Sequence, residues 1–146
     1  VVPIALLTAF FAGPDALSHD PVAWLAAPLM VVLAWVMTFL VMAAIGALAL
    51  LLESTAGLFE VWLGLFTVFS GYLVPLDLFP PWARAIGDVL PFRLLLALPV
   101  ETMLGRVDHA GIATGLGLQL AWCTAFFVAL RFTWNTGMKR YQAFGG

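Results

Sequence analysis

The sequence predicts an all-α, polytopic helical membrane protein with a proline-broken, re-entrant helical segment before its last span. Three observations carry this. Of 146 residues, 64% are hydrophobic and 10% charged, with a mean hydropathy of +1.08. A soluble domain uses about 25% charged residues to hydrate its surface, so this chain needs a bilayer. Residues 21–52, 61–76 and 109–130 contain no Asp, Glu, Lys or Arg, and a helical span needs about 20 mostly apolar residues. None of these stretches alternates as a barrel strand does.

Taken in order, "VVPIALLTAFFAG" supplies about a dozen apolar residues, some 18 Å of helix, against a hydrocarbon core of about 30 Å. It reads as a partial span, 1–12, the outer end of a longer one, so the chain is expected to be the C-terminal part of a larger protein. No basic residue precedes the run and no cleavage pattern follows it, unlike a secretory signal. "GPDALSHDP" is a polar turn. A long apolar run then ends at Leu52. Because helix from residue 21 onward would exceed the bilayer, a turn is expected before Pro28 and a span over about 28–52. "ESTAG" is a short turn, and further spans are expected at about 57–74 and 110–132, followed by a tail at 133–146.

Residues 75–108 lie between the last two spans and hold most of the punctuation. Pro75 removes a backbone donor and is expected to end or kink the preceding helix. Pro80 and Pro81 suit the first turn of a new helix. In "WARAIGDVL", Arg84 and Asp88 share one face while Trp82, Ile86 and Val89 share another. Pro91 stops this helix, "FRLLLAL" restarts it, Pro99 interrupts again, and Gly105 is a plausible C-cap. A chain this broken cannot span. It is expected to lie in the interface or to dip in and return, packed on protein or a watery cavity.

Orientation follows from Arg131, Lys139 and Arg140, which stand at or beyond the last span with no acid among them. Positive loops stay inside, so the tail is expected in the cytoplasm and 75–108 outside. "ESTAG" then falls inside and "GPDALSHDP" outside.

No catalytic residue is expected. The chain has no G-x-x-x-x-G-K-[ST] loop, no H-E-x-x-H and no G-x-S-x-G, and nothing pairs a nucleophile with a base. No metal is expected either, because His19 and His109 lack a second ligand at helical spacing and read as surface histidines. Cys123 reads as a small buried hydrophobe. A formal charge of −2 does not point to nucleic acid. Trp24, Trp82, Trp122 and Trp134 read as interfacial anchors or packing.

The order of short elements in the C-terminal part resembles the permease subunits of type-2 ABC exporters. These elements are Ser70-Gly71, Pro75-Leu76 with Phe79-Pro80, Leu90-Pro91-Phe92, Pro99-Val100 with Gly105, and the ending "KRYQAFGG" with Tyr141 and Gly145-Gly146. The resemblance runs from about residue 28 to the end. It departs late in the second span, where Leu50-Leu51-Leu52 stands in place of an aromatic pair. It implies a permease of an ATP-driven exporter in the cell (inner) membrane, moving a hydrophobic or amphipathic substrate outward by alternating access. Its partners would be a second permease subunit, identical or different, and two cytoplasmic ATP-binding subunits. Those subunits would bind ATP and magnesium; this chain would carry no cofactor. The outer re-entrant gate would comprise Pro75, Phe79, Pro80, Pro81, Pro91, Phe92, Pro99 and Gly105. The other class of reading is a non-transporting structural subunit that scaffolds a larger membrane complex.

Gly57, Gly64 and Gly71 recur every seven residues along one face of the third span, and small residues let membrane helices approach closely. With Ser70, they form either a contact with the partner permease, as the resemblance implies, or ordinary packing within the subunit. Gly111 and Gly115 form a similar packing device. Glu60, just inside the same span, is an intramembrane acid suited to a pathway or coupling role. It is also close enough to the inner interface to reach water.

Overall fold

The computed structural model describes residues 17–52, 54–71 and 78–144, with side chains to residue 139. The partial span 1–12, Pro75, the end of the 57–74 span and Gly145-Gly146 lie outside the described residues. The described residues form six helices and no strand: α1 (Pro21–Leu48), α2 (Ala56–Phe69), α3 (Pro81–Val89), α4 (Pro91–Leu95), α5 (Ala97–Met103) and α6 (His109–Phe144). Two of them, Pro21–Leu48 and His109–Lys139 within α6, are long and apolar enough to cross a membrane, and α2 is a shorter apolar helix. The protein is a helical membrane protein, as the composition predicts.

Asp20 starts α1 by accepting the Val22 N–H at 3.0 Å, with Pro21 in the first position, where no N–H is needed. The helix then runs through Pro28 without a turn, correcting the expected start at 28. Proline removes one bond of the ladder, but Ala26, Ala27 and Met30 around it are buried where α1 packs on α5 and α6. Tertiary packing carries the helix through the local defect.

The long helices α1 and α6 are parallel neighbours. Their N-termini meet where His109 Nε2 lies 2.6 Å from Asp20 Oδ2. At the other end, a Cβ on Gly137 would stand 2.8 Å from the Leu50 Cβ. The short helix α2 runs back between these ends. It stops at Phe69 with Ser70 as C-cap and Gly71 in the left-handed region, φ +78°. The stop is thus a glycine cap four residues before Pro75, where only glycine adopts the conformation without strain. The core combines Met30 and Met37 of α1, Leu94 and Leu98 of the short helices, and Ile112 of α6.

Candidate functional site

The segment between α2 and α6 is a hairpin of short helices whose breaks follow from proline chemistry. Pro80 is extended (φ −61°, ψ 152°) and Pro81 opens α3. Leu90 is extended as well (φ −68°, ψ 152°), the conformation demanded before Pro91, which opens α4. The second break corrects the expectation for Pro99. The chain turns at Leu96 (φ −131°, ψ −58°), and Pro99 lies within α5. As the third residue of that helix, its missing donor would have been unpaired in any case. Its ring excludes continuation from α4, so the break moves upstream. Gly105, at φ +67°, ends α5 as the spacing predicts. Its N–H donates to the Thr102 carbonyl at 3.1 Å, and the Arg106 N–H to the Glu101 carbonyl at 2.9 Å. The pair makes a Schellman cap.

The hairpin reaches deep along α6. Ser18 N–H donates to the Met103 carbonyl at 2.9 Å, fixing α5 to the His109 end of the bundle. At the opposite end of the hairpin, Trp122 Nε1 donates to the Val89 carbonyl at 3.0 Å. Trp122 lies about 20 Å along α6 from His109, at 1.5 Å per residue. There Phe92, 3% exposed, sits with its ring 4.8 Å from Trp62 and 6.4 Å from Phe69. Trp62 in turn meets Phe126 edge-on, and Phe69 meets Phe79. The proline-broken segment therefore enters the bundle and closes on an aromatic cluster shared by α2, α4 and α6.

Polar side chains pin it in place. Gln119, fully buried, donates its amide to the Leu94 carbonyl at 2.9 Å and to the Met30 carbonyl at 3.0 Å. One side chain thus joins α6, α4 and α1. A helix leaves its last carbonyls without partners, and five-residue α4 obtains one from α6. Thr102 is buried against the Met30 sulfur. Arg93 pairs with Glu101 at 2.7 Å and with Asp88, bracing α3, α4 and α5. Gly115 admits Leu98 so closely that a Cβ there would meet its Cδ2 at 2.5 Å.

The expected amphipathic face of α3 is real but points away from the bundle. Trp82, Ile86 and Val89 are exposed, whereas Ala83 and Gly87 pack inward. Asp88 bonds Arg93 across the Pro91 break.

The residues expected to form a packing stripe on α2 divide into two groups. A Cβ added at Gly57 or Gly64 would meet nothing within 4 Å, and no residue of α2 is buried. Ser70 is fully buried and a Cβ on Gly71 would lie 3.4 Å from the Ala97 Cβ, so these two pack within the chain. On a helical wheel Gly57, Glu60, Gly64 and Thr67 form one line opposite Trp62, Phe66 and Phe69. Glu60 is exposed on that line.

Sequence reasoning passed over Gln119, whose signal was an amide amid an apolar run. It also missed the Arg93 braces, which cross two helix breaks and follow no helical period. Among the described residues no three His, Cys, Asp or Glu converge as a metal site.

No curated protein and no solved structure is significantly similar to the chain. The family model described as "ABC-2 family transporter protein" matches residues 1–145. With its helical membrane architecture, the chain belongs to the ABC-2 family, as a transmembrane permease component of an ABC transporter.

Proposed function

We propose that the chain forms the C-terminal half of an export permease in the cell (inner) membrane, with its tail in the cytoplasm and the hairpin of α3, α4 and α5 on the outer side. Two such permeases would sit above two ATP-binding subunits, which carry the ATP and magnesium. The hairpin acts as the outer closure of a pathway for a hydrophobic or amphipathic substrate, opening as the ATP-binding subunits close. The observation that supports this reading is the depth of the hairpin. Pro91 and Phe92 enter an aromatic cluster about 20 Å along α6 from the His109 end, on a segment of three short helices separated by breaks at Leu90 and Leu96.

The remaining gate residues take supporting roles: Phe79 meets Phe69 edge-on at the rim of the cluster, Pro80, Pro81 and Pro99 set the breaks, and Gly105 ends the last short helix. Gly57 and Gly64, with their open line on α2, suit the second permease, and Glu60 on that line suits coupling between subunits. The test uses full-length permease and its ATP-binding subunits in proteoliposomes, following ATP-driven movement of a fluorescent short-chain phospholipid and of a lipophilic dye. ATP-dependent movement of either probe away from the ATPase side supports export. Full ATPase turnover with neither probe moved, in a complex that falls apart without this permease, would favour the scaffold instead.

A further inference from the structure

An apolar groove lies far from the hairpin, between α1 and α6 at the tail end. It is open to the outside, offers about 540 Å³ and is lined by Phe39, Ala43, Gly46 and Leu50 of α1 and the turn after it, and by Arg131 and Trp134 of α6, among others. That volume lies within the range of about 300–1,000 Å³ common for small-molecule sites. Its lining is apolar apart from one charged residue, Arg131. Among the described residues Arg131 makes no ion pair, and no acid lines the cavity. Small residues make the α1 wall, with nothing within 4 Å of the Cβ position of Gly46, and the Gly137–Leu50 contact closes the groove toward the tail.

The depth matters. Arg131 lies about 33 Å along α6 from His109, so a hydrocarbon core of about 30 Å places its head at the level of the phosphates of the tail-side leaflet. A cation there, beside an apolar groove running toward the bilayer centre, matches the two halves of a lipid: phosphate on the guanidinium and an acyl chain along Phe39, Ala43 and Gly46. Basic pockets between membrane helices recognise anionic headgroups in this way, and a planar guanidinium bonds phosphate oxygens bidentately.

We propose that this groove holds one anionic phospholipid of the tail-side leaflet, bound through Arg131. The groove shares no residue with the hairpin, and its test needs no transport. Full-length permease, purified and reconstituted with equal phosphatidylglycerol and phosphatidylcholine, is analysed for retained lipid by native mass spectrometry. The wild type retains phosphatidylglycerol in preference, one per protomer. Arg131→Gln lowers this retention about tenfold, the scale of one charge-assisted bond. Gly46→Leu fills the open groove and expels the lipid with the charge intact, while Lys139→Gln, with equal loss of charge outside the groove, leaves retention unchanged.

Equal retention in all three variants would overturn the proposal. So would loss in Lys139→Gln equal to that in Arg131→Gln, which would mean diffuse charge attraction. A benzoylphenylalanine at Phe39 separates the remaining occupant. Crosslinks to lipid in cells support the site, and crosslinks to another protein segment assign the groove to a helix and overturn it.

Discussion

Replacing Gln119 by Leu keeps nearly the same volume while removing both donors to Leu94 and Met30. The Leu94 carbonyl at the end of α4 then lies buried without its partner, which costs about 1–3 kcal/mol. Thermal unfolding of the purified permease should show that loss, and an unchanged midpoint would mean that Gln119 does not fasten the hairpin. Asp20 gives a pH signature. The Val22 N–H first, and then His109, hold its carboxyl below the ordinary range. Stability from a depressed carboxyl is fully present above the unfolded value, about 3.9, and is lost as pH falls through the folded value. Acid unfolding should therefore set in at higher pH for Asp20→Ala, which begins without this contribution, and the gap from wild type should narrow as pH falls below about 4. A constant gap across that range would show that the carboxylate charge contributes nothing.

At the scale of elements, the two glycine groups on α2 predict opposite behaviour. Gly71 stands at φ +78°, so Gly71→Ala should cost about 1–2 kcal/mol and loosen the join between α2 and α5. Gly64 meets open space, so Gly64→Leu should leave the folded subunit intact and weaken crosslinking between two permeases in the full-length transporter. An unchanged dimer would assign that line to lipid. Much of this organisation is legible in the sequence. Charge-free runs mark the long helices, Pro80-Pro81 mark a helix start, Pro91 reads as a stop although it also opens the next helix, and Gly105 marks a stop. What is not legible depends on contacts distant in sequence. Pro28 reads as a break but is carried by packing against α5 and α6. Pro75 reads as the end of α2 because a glycine in a seven-residue row reads first as packing, and the left-handed conformation of Gly71 shows only in the backbone. Gln119 and Arg93 gain their roles from carbonyls and acids that no local period brings together.

The whole molecule combines two parallel long helices, joined at both ends, with a hairpin inserted between their neighbours from the His109 side. The topology proposed for it is open to labelling in a Cys123→Ser background. An impermeant thiol reagent added to intact cells should reach a cysteine at Arg106, exposed beside the Gly105 cap, and miss one at Gln142, and the reverse pattern would invert the molecule. The claim that the hairpin is a moving closure has a more direct test in the same background. Val89→Cys and Trp122→Cys place thiols on the hairpin and on α6, where the native pair is joined by a hydrogen bond of 3.0 Å. A short, reducible bifunctional thiol reagent then ties the hairpin down in the assembled full-length transporter. Movement of the phospholipid and dye probes should stop while the link is in place and return when a reductant cuts it. Unimpaired ATP-driven transport by the fully crosslinked protein would contradict the account.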